Sequence, residues 1–285
     1  MSAQAAPNEL VVVRGPSALG GAGDVRRFFH LTWLLATTEF KLRFFGSALG
    51  YVWQLARPLM LFGVLYAVFT QIVKFGSEGV PHYPLYLLIG IVLFTSFGEA
   101  TAGSVQAVVL RENLVRKIQF PRMVIPLAVV LTAGFNLMLN MVVVFVFVLA
   151  SGIGPQWTWL EVPLILVPLV VFSTGVAMLL SALYVRYRDI GPIWDVLLQM
   201  LFYGTPIFYA VSNIPDNLRK IVLLNPLASI IEQMRHAIIG DGVPNAVDAV
   251  GSTARLLIPI AIVIVVVALG FWVFNREAPR VAEDL

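Results

Sequence analysis

The sequence predicts an all-α membrane protein: six transmembrane helices, an amphipathic helix at the membrane surface before the first, and a re-entrant helical hairpin before the last. Three observations predict this. Of the 285 residues, 59% are hydrophobic and only 12% charged, whereas soluble domains sit near one half and one quarter. The apolar residues fall into runs of about 20, the length that crosses a bilayer as a helix. Between the last two runs the apolar character is cut by Pro215, Asn225-Pro226 and Gly240, and broken backbone at membrane depth is tolerated only against protein or a cavity.

The elements follow in order. Residues 1–23 read as a disordered cytoplasmic tail without the charged start and long apolar core of a cleaved signal. Asp24 is a plausible N-cap for an interface helix over 24–45. At 100° per residue Arg26, His30, Thr37 and Lys41 share one stripe, opposite Phe28, Leu31, Leu35 and Leu42. Gly46 and Gly50 then permit a sharp turn into the membrane. The crossings are expected at about 55–74, 85–109, 123–150, 162–184, 192–211 and 256–274, with the re-entrant segment at about 214–240 and a cytoplasmic tail at 276–285. Together 24–275 form a single transmembrane domain. The fifth crossing is unusual, with Arg186, Arg188 and Asp189 at its mouth and Gly204-Thr205-Pro206 near its far end. There a proline releases a backbone carbonyl, which either lets the helix bend or merely shapes its packing.

Six crossings put both termini on one side of the membrane. Of the 19 Lys and Arg residues, this topology leaves Lys74, Arg219, Lys220, Arg235 and Arg255 on the opposite side and all the others with the termini. The positive-inside rule makes the richer side cytoplasmic.

Several chemistries are excluded or disfavoured. Without cysteine there are no disulfides or thiolate metal sites, and His30, His82 and His236 are scattered. No GxxxxGK[ST] phosphate loop occurs, so this chain needs no cofactor of its own and any ATP is hydrolysed elsewhere. An enzyme acting on a lipid-linked sugar would want paired carboxylates or a histidine-rich site at an interface, and neither is evident. Nothing points to nucleic acid.

A few positions invite functional readings. In ENLVRKIQFPR, Leu110, Leu114 and Ile118 form one apolar stripe beside Arg111, Arg116 and Lys117, suited to docking in a partner's cleft or to lying on anionic lipid. Glu99 and Asp195 are carboxylates inside predicted spans. Glu99 has polar neighbours with which to hydrogen-bond at a helix or subunit interface, and Asp195 is placed in the first turn of its helix, where the dipole favours it. Aromatic residues crowd the first and fifth crossings, either as an interfacial belt or as stacking surfaces for sugar rings.

Four stretches in order, FKLRFFGSALGYVWQLARPLM, ENLVRKIQFPRMVIPL, RYRDIGPIWDVLLQMLFYGTPIFY and LNPLASIIEQMRHAIIG, resemble the type-2 ABC transporter permeases, particularly those exporting polysaccharides, O-antigens and teichoic acids. The resemblance spans about 24–275. It implies a pore made by two copies of the chain, two separate ABC ATPase subunits carrying ATP and Mg, and a bacterial inner-membrane location. The implied substrate is a lipid-linked polysaccharide of O-antigen, teichoic acid or cell-wall galactan type. By resemblance Arg111, Glu112, Asn113, Leu114, Arg116 and Lys117, with Arg188 and Asp189, couple to the ATPase. Phe62, Tyr66, Phe69, Phe202, Tyr203, Phe208 and Tyr209 are expected to line the route. Arg43 and Arg57, which bracket the GSALGYVW turn, are with Lys41 either recruiters of the donor's pyrophosphate at the cytoplasmic entry, through charge and the planar arginine fork, or residues that only satisfy the positive-inside rule. Export of a drug or small lipid, and a membrane enzyme, are the alternatives.

Overall fold

The computed structural model describes residues 22–44, 50–72, 80–112, 121–240 and 242–277, and every regular element among them is helical. In chain order these are α1 (Ala22–Phe44), α2 (Gly50–Ala67, continued by a π turn over Val68–Ile72), α3 (Tyr83–Val105), α4 (Ala107–Leu110), α5 (Val124–Ala150) and α6 (Val162–Arg186). There follow α7 (Ile190–Gly204), α8 (Asp216–Val222), α9 (Pro226–Ile239), α10 (Ala246–Val250) and α11 (Thr253–Glu277). The tail before residue 22, the tail after 277, the turn around Gly46, and Asn113, Leu114, Arg116 and Lys117 lie outside the described residues.

Among the described residues five helical stretches are long and apolar enough to cross a membrane: Val52–Ile72, Tyr83–Val105, Val124–Ala150, Trp157–Arg186 and Thr253–Glu277. The segment expected to cross as a continuous helix over 192–211 differs from that expectation. α7 stops at Gly204 after 15 residues, about 22 Å, short of a hydrocarbon core of about 30 Å. The cause is local. Pro206 has no N–H to continue the ladder, and the residue before a proline is driven to extended backbone, as Thr205 is at φ −94° and ψ 138°.

At the centre stands α3, apolar on all sides and therefore suited to burial in protein rather than to a two-faced surface. In an 18-residue stretch of it 72% of residues are buried, against 6% in such a stretch of Val52–Ile72. It packs on α2, α5, α6, α7 and α9, while α1 lies along α5 and α11 along α6. The α6–α11 contact is a glycine crossing: a Cβ on Gly175 would sit 2.8 Å from Val267 Cα, and one on Gly270 would collide with the Gly175 carbonyl. Close backbone approach of this kind drives helix association in lipid, where apolar burial adds little.

The interface helix does not turn its whole predicted apolar side to the bundle. Thr32 and Ala36 are buried, and Trp33 and Phe40 meet the Phe135 ring edge-on at 5.4 and 5.6 Å. Leu42, with Phe29 and Leu34, is exposed. Helix α1 therefore straddles two surroundings, with protein against its Thr32–Ala36 side and apolar side chains left facing outward.

Candidate functional site: the broken fifth helix and the polar ends of the central helix

Ending α7 at Gly204 leaves a main-chain problem, because the carbonyls of Pro206 and Ile207 lack helical partners in an apolar setting where each orphan is costly. Arg235 of α9 solves it. Its Nη1 donates to Pro206 O at 2.8 Å, its Nη2 to Ile207 O at 2.8 Å and its Nε to Tyr86 O on α3 at 3.0 Å. Nη1 also donates to Glu232 Oε1 at 2.7 Å, and the Tyr86 hydroxyl donates to the same oxygen at 2.8 Å. Both Arg235 and Glu232 are 0% exposed. Gly90 makes the room: a Cβ there would lie 2.6 Å from Arg235 Nη2. A second tie joins the same elements, with Asn225 Nδ2 donating to Thr205 Oγ1 at 2.9 Å while its Oδ1 caps α9 through Leu227 N. Arg235, expected within the re-entrant segment, is buried in the core.

Around this clamp the structure gathers most of the predicted aromatic residues. Phe69 stacks on Phe208 at 4.8 Å, Phe208 contacts Phe202, Tyr203 and Tyr209 edge-on or tilted at 5.0 to 6.1 Å, and the Tyr83 hydroxyl donates to Phe208 O at 2.8 Å. Tyr203 is exposed. Phe62 and Tyr66 form a separate stacked pair on α2, with Phe62 against Phe147.

The other end of α3 carries a second polar cluster. Glu99 accepts from Asn136 Nδ2 of α5 at 2.7 Å and from Gln54 Nε2 of α2 at 3.3 Å, and it pairs with Arg43 of α1. Glu99 is thus hydrogen-bonded at a helix interface. Arg111, just after α4, pairs with Glu39 of α1. Glu39, Arg43, Glu99 and Thr132 line a cavity of about 60 Å³. Burial pushes the Glu39 carboxyl above the usual range, with the Arg111 and Arg43 guanidiniums pulling it back.

The remaining predicted residues are placed as follows. Lys41 and Arg57 are exposed, and Arg43 is half-exposed and engaged by Glu99. Glu112 is half-buried. Arg188 lies over the Tyr184 ring at 5.1 Å. Asp189 is exposed, and although it occupies the N-cap of α7 its backbone is already helical and its side chain accepts no capping bond. Asp195 is not in a first turn, since α7 begins at Ile190; it is exposed, while Trp194 beside it is buried and donates to Thr101 Oγ1 of α3 at 3.2 Å.

Residues 30–239 match the model of the ABC-2 type transporter family. An O-antigen export system permease protein, RfbA, of Klebsiella pneumoniae is 30% identical over 258 residues, covering 90% of this chain and 95% of its own. RfbA of Myxococcus xanthus is 28% identical over 74% of this chain and 81% of its own, and the polysialic acid transport protein KpsM of Escherichia coli 23% over 79% and 88%. A match over most of the chain, with the broken helix and its clamp inside the matched residues, leads to one conclusion: this multi-pass membrane protein belongs to the ABC-2 type transporter family.

Proposed function

We propose that this chain is the membrane permease of an ATP-driven exporter that carries a lipid-linked polysaccharide out across the bacterial inner membrane. The observation that carries this reading is the 30% identity to an O-antigen permease along 90% of the chain. Two copies form the route, and two ATPase subunits supplying ATP and Mg bind below it. The exposed surface supports pairing. Helix α7 shows Ile193, Val196, Leu197, Met200 and Tyr203 to the outside together with Asp195 and Gln199, and a carboxylate on a membrane helix faces a cavity or another chain rather than lipid.

In this arrangement both termini are cytoplasmic, and α7 with the extended 205–210 segment completes a sixth crossing. Helix α9 enters from the far side as the re-entrant arm. It meets α3 at Tyr86 and Gly90, within about 10 Å of that helix's far end. The ring cluster of Phe69, Phe202, Tyr203, Phe208 and Tyr209, with Phe62 and Tyr66, offers sugar faces many weak contacts, which suits a polymer that must slide. Lys41 and Arg57, with Arg43 held in place by Glu99, meet the donor's pyrophosphate. Arg111, Glu112, Asn113, Leu114, Arg116, Lys117, Arg188 and Asp189 face the ATPase.

The test is deletion of the chain in its host. Undelivered lipid-linked polymer should accumulate on the cytoplasmic side and return to the surface on complementation. Normal surface polymer with loss of some other exported lipid would overturn the polysaccharide reading.

A further inference from the structure

Helices α6 and α11 end side by side, each with an arginine in its last turn, Arg186 and Arg276. The Arg186 guanidinium lies 5.4 Å from the Tyr187 ring centre, and that of Arg276 lies 5.4 Å from the Trp272 ring centre. Between them opens a cavity of about 260 Å³ whose apolar wall is Ala182, Leu183 and Val273 and whose rim also carries the acid Glu277. Among the described residues neither guanidinium enters an ion pair, in contrast to Arg43, Arg111 and Arg235. Both arginines are exposed.

We infer that this cavity is a binding site for the phosphate headgroup of an anionic phospholipid, distinct from the route for the exported molecule. Three features converge on that ligand class. Two planar guanidiniums, each resting on an aromatic face, present paired donors to one anion, and arginine's fork matches phosphate oxygens. Trp272 and Tyr187 are the residue types that settle at the headgroup level of a bilayer. Exposed Leu269 and Val265, on the same helix face as Trp272, Val273 and Arg276, continue along α11 from the cavity and offer an acyl chain an apolar track. Basic pockets between membrane helices on the positively charged side hold acidic lipid heads in this manner. The rigid glycine crossing at Gly175 and Gly270 fixes the spacing of the two helices that carry the arginines.

The full chain, purified in mild detergent, is incubated with phosphatidylglycerol or with phosphatidylcholine, and retained lipid is counted by native mass spectrometry. Phosphatidylglycerol should be retained preferentially, and Arg186→Gln with Arg276→Gln should lower its retention on the order of tenfold, two phosphate-directed charges being lost. Arg186→Lys with Arg276→Lys should fall between, and Arg255→Gln, at the other end of α11, should match the parent. Monodisperse elution of the double variant shows that it is folded. Equal retention of the two lipids, or a double variant that keeps phosphatidylglycerol like the parent, overturns the site. Displacement of the lipid by millimolar inorganic phosphate identifies a free-phosphate site and overturns the lipid source. Loss of a co-purifying ATPase with lipid retention unchanged identifies a protein contact instead. None of these outcomes depends on which molecule is exported, so the site and the polysaccharide reading fail separately.

Discussion

Replacing Arg235 with Met keeps an unbranched stem of similar reach and removes the guanidinium. Four hydrogen bonds disappear, three of them to the carbonyls of Tyr86, Pro206 and Ile207 and one to Glu232. Taking one partner from a buried ion pair costs about 3–5 kcal/mol, and an orphaned buried carbonyl about 1–3 kcal/mol. These terms are not additive, because the break can relax and the acid can take up a proton. The expected loss is therefore about 5 kcal/mol. For a chain of this size that is roughly 10 °C in Tm, read by thermal unfolding in detergent. The double variant Arg235→Met with Glu232→Leu separates the two contributions. It removes the stranded acid yet leaves the Pro206 and Ile207 carbonyls unbonded, while the Tyr86 carbonyl keeps its helical partner within α3, so it should recover less than half of the loss. Since the chain has no cysteine, a single Tyr209→Cys reports the local effect: thiol labelling there should accelerate when Arg235 is removed. A Tm within 2 °C of the parent, or full recovery in the double variant, would refute the idea that Arg235 caps the broken helix.

Three further outcomes are expected. Gly270→Val forces α6 and α11 apart at the Gly175 carbonyl and should abolish the monodisperse peak on size-exclusion chromatography, whereas Gly134→Ala, with nothing within 4 Å of its Cβ, should behave like the parent. Glu99→Leu strands the Asn136 amide and the Arg43 guanidinium at about 1–3 kcal/mol and should lower Tm more than Glu99→Gln, which still accepts; equal Tm values would show that the cluster does not hold α1. Asp189→Asn and Asp189→Ala should be equally stable, because Asp189 makes no capping bond, and both should assemble and hydrolyse ATP but export poorly if its charge couples to the ATPase. An Ala variant less stable than Asn by the 0.5 to 2 kcal/mol typical of a cap would contradict the geometry.

What the sequence shows of this fold follows from what lipid demands locally. A crossing must be a long apolar run, so the helices ending at Ile72, Val105, Ala150, Arg186 and Glu277 are visible to a sliding window. Glu99 and its polar neighbours stand out for the same reason. Pairings between distant residues have no such local trace. Arg43 lies 56 positions from Glu99, and read alone it is one more cytoplasmic arginine available to phosphate. The segment expected as the fifth crossing was half legible: Gly204-Thr205-Pro206 announced a disturbance, but whether a proline bends a helix or ends it depends on whether something else takes up the freed carbonyls. That something is Arg235, and it did leave a signal. In SIIEQMRHAII a Glu and an Arg three apart are embedded in apolar residues inside a segment expected to dip into the membrane, and charges at such depth call for a named partner. Counting Arg235 only as one more basic residue on the side opposite the termini hid it. The same rule that singled out Glu99 and Asp195 applies with more force to Glu232 and Arg235. The pair, fully removed from water, is held there by its two members, by the Tyr86 hydroxyl and carbonyl on α3, and by the backbone of Pro206 and Ile207 that has lost its helix.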